Sequence, residues 1–322
     1  MTVERLKEIL DAAGSRRILV AGDLMLDEFV SGNVSRISPE APVPVVEVTA
    51  ESHYPGGAAN VARNLREFTK FASVMGMVGG DAPGRQLCGL LDAAGIDTTL
   101  VQRDEALRTT VKTRIVARHQ QIVRVDRESQ QRPSDEHIQH ALARMRTTVG
   151  ALDALIFADY GKGFLTQRFV DGVCAMAREA GTIVTVDPKP ASAIEWHGVT
   201  AIKPNRAEAF AYAGAHAAGI QEVGQALLAR WNPGSLLITM GDKGMTLFRG
   251  GREPYRIATR AQAVFDVSGA GDTAIALFTL SLAAGASPEE AAEISNYGSG
   301  IVVGKLGTAT TNAQELMTSF HG

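Results

Sequence analysis

The residues best suited to chemistry stand together at Asp266-Val-Ser-Gly-Ala-Gly-Asp-Thr273, just ahead of the apolar run Ala274 to Ala284. Gly269 and Gly271 bracket Ala270, so several backbone N–H groups can converge where a helix begins, and a helix start carries roughly half a positive charge. Such a turn binds anions. Asp272 fits a plain anion site badly, because its carboxylate opposes binding unless it has a separate task. Accepting the proton of an attacking hydroxyl is such a task. Taken alone, the turn is equally a tight connection. It also matches the dinucleotide fingerprint G-x-G-x-x-A through Gly269, Gly271 and Ala274, but not its context. The next acids, Glu289 and Glu290, open another helix through the capping box Ser287-Pro-Glu-Glu290 instead of closing a second strand.

The elements that must position this turn follow a βα alternation. Arg17 to Gly22 reads as a buried first strand ending at Asp23 and Asp27, and acids at the carboxyl end of a strand in an open α/β sheet sit where ligands bind. Tyr54-Pro-Gly-Gly-Ala-Ala-Asn60 opens a helix with Gly56 and Gly57, which admit a ligand close to the backbone, and with Asn60, whose amide suits sugar hydroxyls. From Ser134 the alternation is strict, which predicts a parallel sheet covered on both faces. Its strands end in Asp159-Tyr-Gly-Lys-Gly163, Asp187-Pro-Lys189, Lys203-Pro-Asn205 and Gly241. Two stretches break the pattern, about 28–50 and 107–127. Both are extended and neither has a linker's composition. They are expected to form a small lid sheet, the second as a hairpin turning at His119-Gln120. The lid's uncovered face needs a ligand or a partner subunit.

At 322 residues, with 45% hydrophobic and 21% charged, the chain suits one large α/β domain, and 33 glycines agree with many tight βα turns. A net charge of -3 with scattered Lys and Arg argues against a nucleic-acid partner. Two cysteines, Cys88 and Cys174, lie among apolar residues and read as buried small hydrophobes, in keeping with a cytoplasmic protein. No apolar run is long enough for a membrane span, and Met1 to Gly14 is a mixed-charge amphipathic helix rather than a signal peptide. His137 and His140 have no third ligand nearby. Gly298 to Lys305 lacks the spacing of a Walker loop.

Taken in order, Gly56-Gly57-Ala-Ala-Asn60, Asn205-Arg-Ala-Glu208 and Asp266 to Asp272 resemble the motifs of the ribokinase-like, or phosphofructokinase-B, family of carbohydrate kinases, over essentially the whole chain. The resemblance implies a three-layer α/β/α fold with a mostly parallel central sheet and a β lid, in a single kinase domain. It implies ATP and Mg2+, with Asn205 and Glu208 placing the hydrated metal and Lys203, Gly241 and Asp266 near the nucleotide. Asp272 would be the base, with the amides of Gly269, Ala270 and Gly271 around the transferring phosphoryl group, and Asp27 with Gly56, Gly57 and Asn60 would hold the sugar. Longer stretches are similar to the branch acting on D-glycero-β-D-manno-heptose 7-phosphate: Gly22 to Asp27 with Ser35 to Pro44, Asp159 to Gly163, and Gly304 to Thr310. A 7-phosphate demands a cation remote from the transferring phosphate. Lys112, Arg114, Arg85, Lys162 and Lys189 are the candidates. The resemblance further implies a homodimer through the lids. With the chain ending at Gly322 and no H-x-G-H motif, a stand-alone kinase is expected. The same chemistry on another sugar, or a non-catalytic sensor of this fold, are the alternatives.

Overall fold

A computed structural model describes residues 1–117, 120–128, 132–214, 219–261, 265–305 and 307–321. Arg118, His119, Leu306 and Gly322, all part of the sequence reading, lie outside the described residues. Among the described residues two sheets form. The larger runs β13 (Tyr255–Ile257), β12 (Met245–Phe248), β11 (Ser235–Thr239), β10 (Ala201–Ile202), β9 (Ile183–Asp187), β8 (Ala154–Ala158), β1 (Arg17–Gly22), β4 (Phe71–Gly79) and β5 (Asp97–Asp104), numbered in chain order. It is parallel from β5 across to β11, and β12 and β13 add an antiparallel edge.

The central strands are buried on both faces, which is why they read as continuous apolar runs. Along β1, Ile18 and Val20 face one core cluster while Leu19 and Ala21 face another; along β8, Leu155 and Phe157 oppose Ala154, Ile156 and Ala158 in the same way. The cluster of Leu19 and Ala21 is closed by the helices Asp135–Thr148 and Gln167–Ala180, that of Ile18 and Val20 by Ala58–Arg66, Ala82–Ala93 and Ala270–Ala283. Helices on both faces give the α/β/α layering. The last of these helices is apolar all round, with every residue from Thr273 to Ser281 buried, so its polar head at Asp272 is presented at one end of a rigid rod. Chain order reverses at β1, which lies between β4 and β8. The crevice at the carboxyl end of such a strand is where open α/β sheets bind ligands.

The smaller sheet runs β3 (Pro44–Gly57), β2 (Leu24–Ile37), β6 (Thr110–Ala117) and β7 (Gln120–Arg127), with β2 and β6 parallel and the outer pairs antiparallel. Its first two strands are longer than composition alone suggests. Leu24 pairs with Gly57 and Ile37 with Pro44, so Asp27 lies within a strand and not in a turn, and Tyr54 to Gly57 finish β3 before the helix starts at Ala58. Pro55 interrupts no ladder bond on its free side because β3 is an edge strand. The predicted Ser287 box is present, with Ser287 Oγ accepting from the Glu290 N–H at 3.2 Å and Glu290 Oε2 accepting from the Ser287 N–H at 2.8 Å. Among the described residues no helix is long and apolar enough to cross a membrane.

Candidate active site

Asp272 occupies the first turn of the helix Ala270–Ala283, entered through Gly269 at φ 82°, a left-handed conformation that glycine adopts without a Cβ penalty. The turn is held from behind by Asp266, whose carboxylate accepts the N–H of Ser268 at 2.9 Å and of Gly307 at 3.2 Å. Both oxygens of Asp272 are engaged by side chains from distant parts of the chain. Asn60 Nδ2 donates to Oδ2 at 2.6 Å and Tyr160 Oη donates to Oδ1 at 2.5 Å. Burial raises this carboxyl above the usual carboxylate range and nearby Asp27 adds to the rise; Tyr160, Asn60 and Lys203 oppose it. Asn60 is buried, and its Oδ1 has no hydrogen-bond partner among the described residues, which leaves an acceptor beside Asp272. A second tie fixes the two helices together: Thr273 Oγ1 donates to Asn64 Oδ1 at 2.7 Å.

On the lid, Asp27 accepts from Arg114 Nη1 at 2.6 Å. Gly56, on the neighbouring strand and paired with Met25, lies diagonal to it: a Cβ there would meet Asp27 Oδ2 at 2.7 Å, and one on Gly57, at φ 58°, would meet the Asp23 carbonyl at 2.6 Å. Only glycine fits both positions without displacing the acid or the strand end. Lys112 is the β6 partner of Asp27 in the ladder. Its ammonium is lowered by burial and by the nearby Lys162, which itself pairs with Glu128 at 2.6 Å. Beneath the lid a cavity of about 600 Å³ is lined by Phe29, Tyr54, Arg63, Arg114, Asp266 and Ser268.

At the other end of the turn a mainly apolar cavity of about 310 Å³ is lined by Thr239, Gly241, Met245, Ala270, Gly271 and Asn296 among others. Lys203 is buried and approaches the turn from below, its Nζ 3.7 Å from where a Cβ on Gly271 would lie. It pairs with Asp187 at 2.9 Å. Burial nevertheless pushes Asp187 up to about 7, Lys203 opposing and Glu208 and Asp272 reinforcing the rise. Asn205 and Glu208 form a reciprocal cap. Glu208 N–H donates to Asn205 Oδ1 and Asn205 N–H donates to Glu208 Oε2, both at 2.9 Å. The second Glu208 oxygen receives Lys189 Nζ at 3.0 Å.

A family model described as pfkB family carbohydrate kinase matches residues 15–315. The chain belongs to the pfkB family of carbohydrate kinases. Within that family it is 43% identical over 305 residues to the bifunctional protein HldE of Desulfatibacillum aliphaticivorans, which covers 94% of this chain and 62% of the relative. It is 44% identical over 316 residues to the bifunctional protein HldE of Caulobacter vibrioides, with 95% of this chain and 63% of the relative covered. The chain thus spans somewhat less than two thirds of the length of these curated relatives. Among solved structures, ribokinase of Arabidopsis thaliana in complex with ribose and ATP superposes with a TM-score of 0.72 at 18% identity, over 96% of this chain and 99% of the other. Phosphofructokinase-2 of Escherichia coli in complex with potassium gives 0.76 at 18% identity, over 95% and 98%. These show the ribokinase-like fold, which the sequence reading expected.

For this pfkB kinase the structure brings most of the predicted site residues to one cleft. Asn60, Asp27 and Lys203 each bear on the charge of the Asp272 carboxyl. Lys112 and Lys162 lie together at the lid side. Lys189 stands apart from them, turned to Glu208, and Arg85 donates to the Gly80 carbonyl at 2.6 Å. Two residues have work in the site that the sequence reading does not assign them: it takes Asp23 as a strand-end acid where ligands bind, and Tyr160 only as part of a charged turn. Asp23 is buried and accepts the N–H groups of Tyr160, Lys162 and Phe164, each at 3.0 Å. Tyr160, carried on that loop, reaches Asp272. Its presence between Asp159 and the two glycines was the available signal, since a large buried phenol in a turn needs a partner.

Proposed function

We propose that this kinase transfers the γ-phosphoryl group of ATP to the anomeric 1-hydroxyl of D-glycero-β-D-manno-heptose 7-phosphate, giving the 1,7-bisphosphate for ADP-heptose and lipopolysaccharide core synthesis. The observation that carries this reading is Asp272 at the head of its helix, held at both oxygens beside an unpartnered acceptor on Asn60. The acceptor hydroxyl donates its proton to Asp272 as its oxygen attacks the γ-phosphorus, and ADP leaves. The amides of Gly269 and Gly271, with Lys203 below them, stabilise the charge on the transferring group, while the Ala270 N–H, expected to join them, donates instead to the Val267 carbonyl at 3.3 Å. Asp27 and Asn60 hold sugar hydroxyls, while Lys112 and Lys162 supply cations for the remote 7-phosphate. The apolar cavity by Gly241 takes the nucleoside. The heptose assignment is supported by the stretches Ser35 to Pro44 and Asp159 to Gly163 and by the HldE relatives.

Asn205 and Glu208 fit a hydrated Mg2+ rather than a directly ligated one, because both Glu208 oxygens already accept a donor. When bound, the metal neutralises phosphate charge near Asp187 and Glu208. The lid's outer face, with Val123 and Val125 on β7 exposed at 46% and 41%, is covered by a second copy of the chain. ADP release measured with heptose 7-phosphate, with other sugars and sugar phosphates, and with no sugar tests the assignment. Release that depends on the heptose phosphate is expected. Faster turnover of another sugar replaces the substrate, and no sugar-dependent release at all removes the kinase reading for this chain.

A further inference from the structure

We infer that Tyr160 is a positioning residue for the base, its phenol fixing one oxygen of Asp272 while Asn60 fixes the other, with Asp23 fixing Tyr160 in turn. The inference rests on Asp272 as the proton acceptor and concerns what holds it there. A carboxylate with one donor still rotates about its last side-chain bond; with a donor on each oxygen it does not. The two donors come from separate layers of the fold, Asn60 from the helix after the lid and Tyr160 from the turn after β8. Tyr160 has little freedom of its own. Its backbone N–H donates to Asp23 Oδ2, and the same carboxylate takes the N–H groups of Lys162 and Phe164, so three alternate amides of the turn close on one acid.

The phenol remains a donor throughout the working range, because burial and then the neighbouring carboxylates Asp272 and Asp187 push it well above its ordinary value. A donor to the charged form of an acid also makes that acid less basic. Tyr160 therefore counters the burial that raises Asp272, together with Asn60 and Lys203 and against Asp27. One hydroxyl thus acts on both the orientation and the basicity of the base.

Tyr160→Phe keeps the partly buried ring and removes that hydroxyl. In single-turnover measurements with ATP and the accepted sugar phosphate, the rate is expected to fall about tenfold, with binding of both substrates within about twofold of wild type. The acid limb of the rate profile moves to higher pH, since an acid that loses a donor holds its proton longer. The same displacement is expected in the 13C titration of the Asp272 carboxyl, assigned by its disappearance in Asp272→Asn. That readout needs no turnover, and a merely structural tyrosine would leave it in place. If Asp272→Asn is inactive while Tyr160→Phe matches wild type in rate and in both pH profiles, the positioning role is wrong and the base stands. If Asp272→Asn keeps near-normal turnover, the base assignment falls and this role falls with it.

Discussion

The two acidic centres of the cleft are built in opposite ways. Asn205 and Glu208 are three residues apart and satisfy each other through a helix cap, so their geometry is written into four consecutive positions. Asp272 depends on Asn60 and Tyr160, which are separated from it by 212 and 112 residues and arrive only when the whole sheet has formed. A local device survives conservative change because its backbone frame persists. A non-local one carries orientation accurate enough for proton transfer, and it fails when any contributor moves.

The largest break in this contrast is Asp272→Asn. Turnover is expected to fall by roughly a thousandfold while ATP and sugar still bind, as judged by calorimetry beside steady-state rates. Next comes Gly56→Ala, which places a Cβ within 2.7 Å of Asp27 Oδ2. Asp27 must shift, so the KM for sugar should rise by about tenfold or more with the KM for ATP little changed. The local centre should respond more mildly and selectively. Asn205→Ala removes the cap and is expected to cost about 1 kcal/mol in denaturant unfolding, whereas Glu208→Gln retains a capping side chain and should cost far less. Both should raise the magnesium concentration needed for half-maximal rate, and an unchanged magnesium titration would remove them from the metal's surroundings.

A test by pH alone concerns Asp159, which accepts from Ser192 and from two backbone amides yet is pushed up to about 6 by burial, with Asp23 adding to the rise. A carboxyl raised in the folded state binds more protons there than in the unfolded chain. Its contribution is therefore complete below the ordinary carboxyl value of 3.8 and is lost as pH climbs through about 6. Wild type should lose stability relative to Asp159→Asn across that window, by on the order of 3 kcal/mol in all, measured by denaturant melts at several pH values.

The contrast also marks what could be read from sequence. The anion turn, the paired glycines and the N-x-x-E spacing are short patterns whose chemistry is contained in neighbouring residues, and the βα alternation that displays them has an unmistakable period. The contacts of Tyr160 leave no such trace. Its loop follows the end of β8, and its partner lies on a helix more than a hundred residues later, so only the sheet order β1 beside β8 brings them together. Asp23 was visible as an acid at a strand end, but nothing in its spacing distinguishes a ligand for substrate from an anchor for a loop. Lys189 was one of several cations of equal standing until its partner Glu208 appeared. The lid strands exceeded their composition because main-chain pairing continues through Tyr54, Pro55 and the glycines, where side chains no longer advertise a strand.

That pairing carries a mechanical consequence. β2 starts one residue beyond β1, and β3 runs without interruption into the helix that bears Asn60. Each of these strands is 14 residues long, about 45 Å at the usual rise. The sheet is thus a long arm whose fulcrum lies at Asp23 and Gly57, beside the anchor of Tyr160 and one turn from Asn60. A swing that opens the far tips by many ångströms displaces the fulcrum by a small fraction of that distance. A wide opening at the tips and a fixed setting of Asp272 are compatible because they sit at opposite ends of the same lever.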